Sequence, residues 1–181
     1  MYDEFVAKLR GIVKKIRTGD PTRDTTDLGP MVDTESVERT MTWIDEAVRG
    51  GAKVLTGGKR KGRMLEPTIL ANVKTKMNVC NKEVFAPVAV LLKYKTFGQA
   101  VAEVNNSEFG LQAGIFTNRI KDIFHAFKFV ETGGVIINDI PTYRADHMPY
   151  GGSKQSGVGR EGPRYGIEDM TEPKILALNL K

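Results

Sequence analysis

The sequence holds one thiol, Cys80, and a thiolate is the form in which cysteine acts as a nucleophile. Activation would need a histidine, a cation or a helix N-terminus beside it. Lys76 and Lys82 lie nearby in sequence, but neither His125 nor His147 does, and a long apolar run follows, so Cys80 reads as a packing residue. With one cysteine and two histidines there is no run at zinc-ligand spacing and no disulfide framework, and no metal site is expected. Gly157-Val158-Gly159-Arg160-Glu161-Gly162 matches the dinucleotide fingerprint G-x-G-x-x-G letter for letter. That motif works when a strand delivers the glycines to a helix N-terminus, and no apolar strand precedes Gly157, so a structural glycine loop is the better reading. The segment 141–150 concentrates Arg144, Asp146, His147, Tyr143 and Tyr150 between an apolar strand and the glycine-rich stretch. Loops at strand ends line ligand crevices in parallel sheets, which makes this one a candidate site; a structural network around a tight connection is the alternative. His125 reads as a helix-surface residue.

The elements that must position these groups follow from apolar period. Phe5, Leu9, Ile12 and Ile16 recur at helical spacing and predict a first helix that stops at Gly19-Asp20-Pro21. Val37, Met41, Ile44 and Val48 predict a second, N-capped at Thr34 and ended by Gly50-Gly51. Lys53-Val54-Leu55, residues 67–70 and residues 84–94 read as extended, the last as a strand buried on both faces. Thr96 caps a third helix through Val104, residues 111–117 form a strand, and a fourth helix carries Ile120, Ile123, Phe124, Phe127 and Val130, closes at Gly133-Gly134 and feeds the strand Val135-Ile136-Ile137. A short helix near 164–170 and a last strand over 174–180 complete the chain. Alternation of buried strands and helices predicts an α/β fold with a mainly parallel sheet and flanking helices.

Composition narrows the function classes. At 40% hydrophobic and 27% charged residues the chain is an ordinary globular protein of one domain, not a disordered one. The net charge of +5 is dispersed; its densest run, Lys59-Arg60-Lys61-Gly62-Arg63, lacks interleaved aromatics and reads as a solvated turn, so no nucleic-acid partner is expected. No stretch has the roughly 20 apolar residues of a membrane helix, and the first residues lack a signal layout, so no membrane and a cytoplasmic location are expected.

Several segments, taken in order, resemble the C-terminal signatures of the NAD(P)-dependent aldehyde dehydrogenase superfamily. Asp27-Leu28-Gly29-Pro30-Met31, Gly51-Ala52-Lys53-Val54-Leu55-Thr56-Gly57-Gly58 and Glu66-Pro67-Thr68-Ile69-Leu70 come first. Glu83-Val84-Phe85-Ala86-Pro87 looks like the family's E-x-F-G-P, with Ala86 replacing glycine. Asn105-Asn106-Ser107-Glu108-Phe109-Gly110-Leu111, Gly133-Gly134-Val135-Ile136-Ile137-Asn138 and Pro149-Tyr150-Gly151-Gly152-Ser153-Lys154-Gln155-Ser156-Gly157 follow. Singly these are weak signals; seven in the right order are a specific one.

The resemblance implies the C-terminal part of an enzyme that oxidises an aldehyde to a carboxylic acid by a cysteine nucleophile, hydride transfer to NAD or NADP, and hydrolysis of a thioester. It implies that Glu83 bonds the nicotinamide ribose and Phe85 packs beside the nicotinamide. Residues 140–150 would border the substrate entrance, with Arg144, His147 and Tyr150 as substrate-binding residues and a small hydroxylated or anionic aldehyde as substrate. The family's nucleophile, general base and nucleotide-binding domain lie upstream of the segments matched, so no catalytic residue is assigned here and the isolated chain is expected to be inactive. Residues 1–181 then form a partial catalytic domain, with 172–181 as an oligomerisation strand. A homo-oligomer or a missing N-terminal half is the expected partner. A folded non-catalytic relative acting as an interaction or oligomerisation module, and one chain of a split enzyme, remain alternatives.

Overall fold

Helices form where apolar period predicts them, but two of the apolar rows are left largely exposed. The computed structural model describes residues 1–180, and the chain divides into two units after Tyr94. In the first unit, α1 (Tyr2–Val13) has acidic residues in its first turn and Arg10 in its last, as the helix dipole favours. It buries none of its side chains: Phe5 and Ile12 are exposed. The helix stops at Val13, short of the expected Gly19, because Arg17 and Thr18 are drawn into other pairings. The backbone N–H, Nε and Nη2 of Arg17 all donate to the Asp27 carboxylate at 2.9 Å, beside a bridge between Thr18 and Leu28.

The N-cap of α2 (Thr34–Arg49) is Asp33, not Thr34: its carboxylate accepts the Ser36 backbone N–H at 2.7 Å. This helix buries Val37, Thr40, Ile44 and Ala47, with the Thr40 hydroxyl donating to the Ser36 carbonyl. The next strands are β1 (Lys53–Thr56), β2 (Arg60–Lys61), β3 (Met64–Leu65) and β4 (Thr68–Ala71). The basic run expected as a solvated turn is a hairpin, β2 pairing β3 around Gly62, whose φ of +57° suits glycine. After the single turn α3 (Asn78–Asn81) comes β5 (Val88–Leu91), giving a sheet in the order β1-β4-β5, the first pair antiparallel and the second parallel. Ile44, Ala47, Ala52, Leu70, Val73 and Val79 form the core between α2 and this sheet. Burying a side chain such as Leu70 contributes about 1.5–3 kcal/mol.

In the second unit, α4 (Phe97–Asn105) is capped by Thr96, as predicted, the hydroxyl accepting the Gln99 N–H. There follow β6 (Phe109–Gly110), β7 (Gln112–Ile115), α5 (Ile120–Phe129), β8 (Gly134–Ile137), β9 (Ser153–Lys154) and α6 (Pro163–Asp169). β7 pairs β8 in parallel and β6 pairs β9 antiparallel. Val101, Ala126 and Val130 form the core, with Phe97, Ala113, Ile115 and Val135 against it. The fourth helix therefore packs through Ala126, with Val130 of the expected residues buried and Ile123 half-buried, while Ile120, Phe124 and Phe127 are 65–75% exposed.

Side chains complete what these short sheets leave open. Asn105 donates to the Phe129 carbonyl and accepts the Glu131 N–H, tying the end of α4 to the end of α5. Lys154 Nζ donates to the Asn105 and Ser107 carbonyls and pairs with Glu131. Asn138 accepts the Thr117 N–H at 2.8 Å. Beneath them backbones touch: a Cβ on Gly133 would overlap the Gly151 carbonyl, and one on Gly110 would sit 2.6 Å from the Glu131 oxygen.

The fold is thus mixed α/β, but the mainly parallel sheet expected from the sequence is not what forms. Of the strand pairings, β4–β5 and β7–β8 are parallel, and the other three are antiparallel. Two of these antiparallel pairs involve two-residue strands, one a hairpin and one between distant segments, which strand-length patterning does not register. The expected strand over 84–94 shrinks to Val88–Leu91; at its start Phe85 takes a left-handed φ of 50°, which breaks the extended run. Residues 171–180 form no strand within this chain, since no edge is paired with them; a strand exists only where its backbone groups find a ladder. Residue 181, the last of the expected strand, lies outside the described residues.

Replacing Gly133 with Ala should destabilise the second unit by about 3 kcal/mol or more in urea unfolding, as forced overpacking does. Gly98→Ala in α4, where a Cβ meets nothing within 4 Å, should instead stabilise by about 0.5–1 kcal/mol. Equal effects of the two would show that the glycine contact is not formed. Acid should weaken the first unit. Hydrogen bonds from the Arg17 side chain, then its backbone N–H, hold the Asp27 carboxyl below its usual range. A carboxyl depressed on folding contributes stability above its unfolded value near about 3.9, lost as pH falls through the lower folded value. Urea midpoints should therefore drop between about pH 5 and about pH 2, and Asp27→Asn should flatten that slope while lowering stability at neutral pH. An unchanged slope in the variant would assign the acid sensitivity elsewhere.

Candidate active site

In the first unit, five residues link Lys82, the C-cap of α3, to Val88, which opens β5, and they carry Glu83 and Phe85. Both flanks are fastened. Arg39 on α2 donates to the Val84 carbonyl at 3.3 Å, the Thr68 N–H donates to the Pro87 carbonyl at 2.8 Å, and the Val88 N–H turns back on the Ala86 carbonyl at 2.7 Å. Between these anchors Phe85 adopts φ 50°, a conformation costing a bulky residue on the order of 1–3 kcal/mol, with its ring 80% exposed. A strained aromatic ring held out to solvent by a fastened loop is poor use of an apolar side chain unless something flat lies on it. Ala86 stays out of the left-handed region, so the methyl that replaces the family's glycine meets no backbone penalty there. Glu83 is exposed two residues earlier, an acceptor within reach of a hydroxyl-bearing group. The loop thus presents one exposed carboxylate and one exposed ring within three residues.

In the second unit, the loop after β8 carries Arg144, His147 and Tyr150. Tyr150 and Glu161 exchange backbone hydrogen bonds of 3.0 and 2.6 Å, forming an isolated antiparallel bridge. Arg144 lies over this bridge, its Cζ 4.5 Å from the Tyr150 ring centroid and its Nη2 3.1 Å from Glu161 Oε2. Cation–π stacking and one ion pair thus orient a guanidinium that is half exposed. The Gln112 side chain donates to the Tyr143 carbonyl and steadies the same loop. Arg144 and Tyr150 are brought together; His147 is exposed and joins neither by a hydrogen bond among the described residues.

Glu161 is the residue that sequence reasoning missed. It sits inside the glycine run 157–162, which was read for its glycines; the signal was a carboxylate placed to face the arginine of the preceding loop. The run itself is irregular backbone that leads into α6. Arg160 folds onto the Gly152 and Gly159 carbonyls, and Gly162, at φ 124°, leads into Pro163 at the first position of α6. Cys80 is half-buried on α3. Among the described residues no three of His, Cys, Asp or Glu are grouped to hold a metal, and no helix is long and apolar enough to cross a membrane.

Comparison with known proteins places these elements in a family. The aldehyde dehydrogenase family model matches residues 1–176. The chain is 47% identical over 180 residues to 3-sulfolactaldehyde dehydrogenase of Priestia aryabhattai, covering 99% of this chain and 38% of that protein. The structure of aldehyde dehydrogenase 21 from Physcomitrella patens, in complex with the reaction product succinate, superposes with a TM-score of 0.94 at 46% identity over 97% of this chain and 36% of that one. Glyceraldehyde-3-phosphate dehydrogenase GapN from Methanocaldococcus jannaschii, complexed with NADP, gives a TM-score of 0.88 at 37% identity over 93% of this chain and 36% of its own. The chain thus spans little more than a third of the length of these relatives, and on the strength of the match over residues 1–176 it belongs to the aldehyde dehydrogenase family.

Proposed function

We propose that this chain is the C-terminal part of an NAD(P)-dependent aldehyde dehydrogenase that oxidises a small anionic aldehyde to a carboxylic acid, and that it is catalytically incomplete alone. The observation that carries the reading is Phe85, whose ring is held exposed in a left-handed conformation by a loop fastened on both sides. Phe85 would flank the nicotinamide and Glu83 would accept from the ribose; when bound, the nicotinamide takes up a hydride from the carbon being oxidised. The NADP of the Methanocaldococcus relative supports a nicotinamide cofactor, and either NAD or NADP suits these two residues.

For the substrate, Arg144 offers a fixed cation and Tyr150 the surface that orients it, with His147 exposed on the same loop as a further donor. A sulfonated aldehyde in the name of one relative and succinate in the structure of another fit an anion at this arginine. We place the enzyme in the cytoplasm. Residues 1–181 act as part of a catalytic domain whose partner is the missing N-terminal part, and the full protein oligomerises through residues 172–181. Ile175, Leu176, Leu178 and Leu180 are 72–91% exposed there, as a strand waiting for a second copy would be. The parallel pairs β4–β5 and β7–β8 are short pieces of a sheet that the complete protein would extend. The exposed row Ile120, Phe124 and Phe127 also favours a second reading, an interaction module without activity of its own.

The deciding experiment follows NAD(P) reduction with carboxylated, sulfonated and neutral small aldehydes, using the chain alone and the chain joined to the upstream part of the Priestia relative. No turnover is expected from the chain alone and turnover from the joined protein. In the joined protein Arg144→Gln should lower kcat/KM about ten-fold for the anionic aldehydes and change it less than about two-fold for the neutral ones. Turnover by the chain alone would overturn its incompleteness; equal losses on both aldehyde classes would remove Arg144 from substrate binding; an inactive joined protein would favour the interaction module.

A further inference from the structure

One stripe of α2 carries Arg39, Trp43 and Glu46, at i, i+4 and i+7, and two of the three reach the segment that leads to Phe85. Glu46 Oε2 accepts the Asn78 side-chain N–H at 2.9 Å, which ties α2 to the start of α3. Trp43 packs against the core of the first unit, and the Arg39 Cζ stands 5.4 Å from the centroid of its ring, within cation–π range. Arg39 is exposed, yet its guanidinium is held between this half-buried indole and the Val84 carbonyl, which its Nη2 meets at 3.3 Å. Among the described residues this is the one hydrogen bond that reaches Glu83, Val84 or Phe85 from another element.

The carbonyl it holds lies in the planar peptide unit that joins Val84 to Phe85, and turning Phe85 about φ swings that plane. Beyond Phe85 the Ala86 carbonyl accepts from the Val88 N–H at 2.7 Å and the Pro87 carbonyl from the Thr68 N–H at 2.8 Å. With the chain fixed downstream, a donor on the Val84 carbonyl resists the rotation by which Phe85 would leave φ 50°, a conformation that few bulky residues adopt. We propose that Arg39 is a positioning residue of the cofactor site: it holds the peptide before Phe85 so that the exposed ring is set before a nicotinamide arrives. The inference rests on the reading of Phe85 as the neighbour of the nicotinamide. Arg39 acts through the Val84 carbonyl. Its contribution is one hydrogen bond from a charged but exposed donor, which sets the expected effect at about five-fold in affinity. Without it the loop spends part of its time in conformations that do not bind, and apparent affinity falls with the competent fraction.

The test uses the full chain, with nicotinamide mononucleotide as probe and the Phe85 amide followed by nitrogen-15 NMR. In the wild type the order parameter of that amide should be near about 0.85, and the probe should shift its signal. Arg39→Met keeps a helix-forming stem over Trp43 and removes every donor. It should lower the order parameter at Phe85 toward about 0.6 and weaken the probe about five-fold, with the amides of β4 unchanged. Arg39→Lys, which restores a donor, should recover both. Unchanged order at Phe85 in Arg39→Met overturns the anchor, and so does order lost equally across β4, which would be a general loss of stability. Order lost at Phe85 with the probe bound as tightly as before overturns the positioning role. A probe that leaves the wild-type Phe85 signal unmoved, while order there still responds to Arg39, overturns the nicotinamide reading and the proposal with it.

Discussion

Backbone groups at the ends of short elements are the constraint that shapes this chain. Sheets of two or three strands, some only two residues long, have more edge than interior, and an unpaired buried N–H or carbonyl costs about as much as a lost hydrogen bond. The second unit meets this with side chains. Asn105 serves the end of α5, Lys154 collects carbonyls at the end of α4, and the glycines 110, 133 and 152 let backbones approach where no side chain fits. The loop bearing Arg144 hangs between Asn138, which holds Thr117, and the Tyr150–Glu161 bridge. The geometry of the candidate site is therefore inherited from polar clamps more than from a core, which in this unit is small.

The same constraint explains what was legible in the sequence. Helix positions were, because period and caps are local: Thr96 caps α4 through its own hydroxyl, and Gly50 ends α2. The faces of α1 and α5 were not. Period marks which residues lie on one stripe, but whether that stripe is buried depends on what packs against it, and Ala126 brings its neighbours closer than Phe124 or Phe127 could. The short antiparallel pairs were invisible for two reasons: β2 and β3 are only two residues each, and β6 and β9 lie far apart in the chain, with Gly110 opposite Ser153. Arg144 and Tyr150 were legible as a concentration of reactive types; their relation to Glu161 was not, since it depends on a bridge closing across eleven residues.

The motif residues divide by exposure. Asn105, Asn138, Lys154 and the close-packed glycines spend their polar groups or their lack of a side chain on holding backbone together, so a family pattern read from them speaks mainly of fold. Phe85 and Arg144 differ. Each is exposed, and each is held by contacts on its flanks instead of by burial of its own side chain. Pre-organisation of that kind lowers the entropy a ligand must overcome, because loop and rotamer are already ordered before it arrives.

Exposed apolar surface follows a third logic. Ile120, Phe124 and Phe127 lie at i, i+4 and i+7 on α5, the spacing of a helix face made for contact, and soluble monomers seldom leave such rows open. The tail leaves Ile175, Leu176, Leu178 and Leu180 open as well, with no ladder for their backbone inside the chain. A core as small as Val101, Ala126 and Val130 cannot draw either feature inward without losing the glycine contacts that fix β6 to β9. The second unit thus trades burial for backbone closure, and the cost is apolar surface left in water.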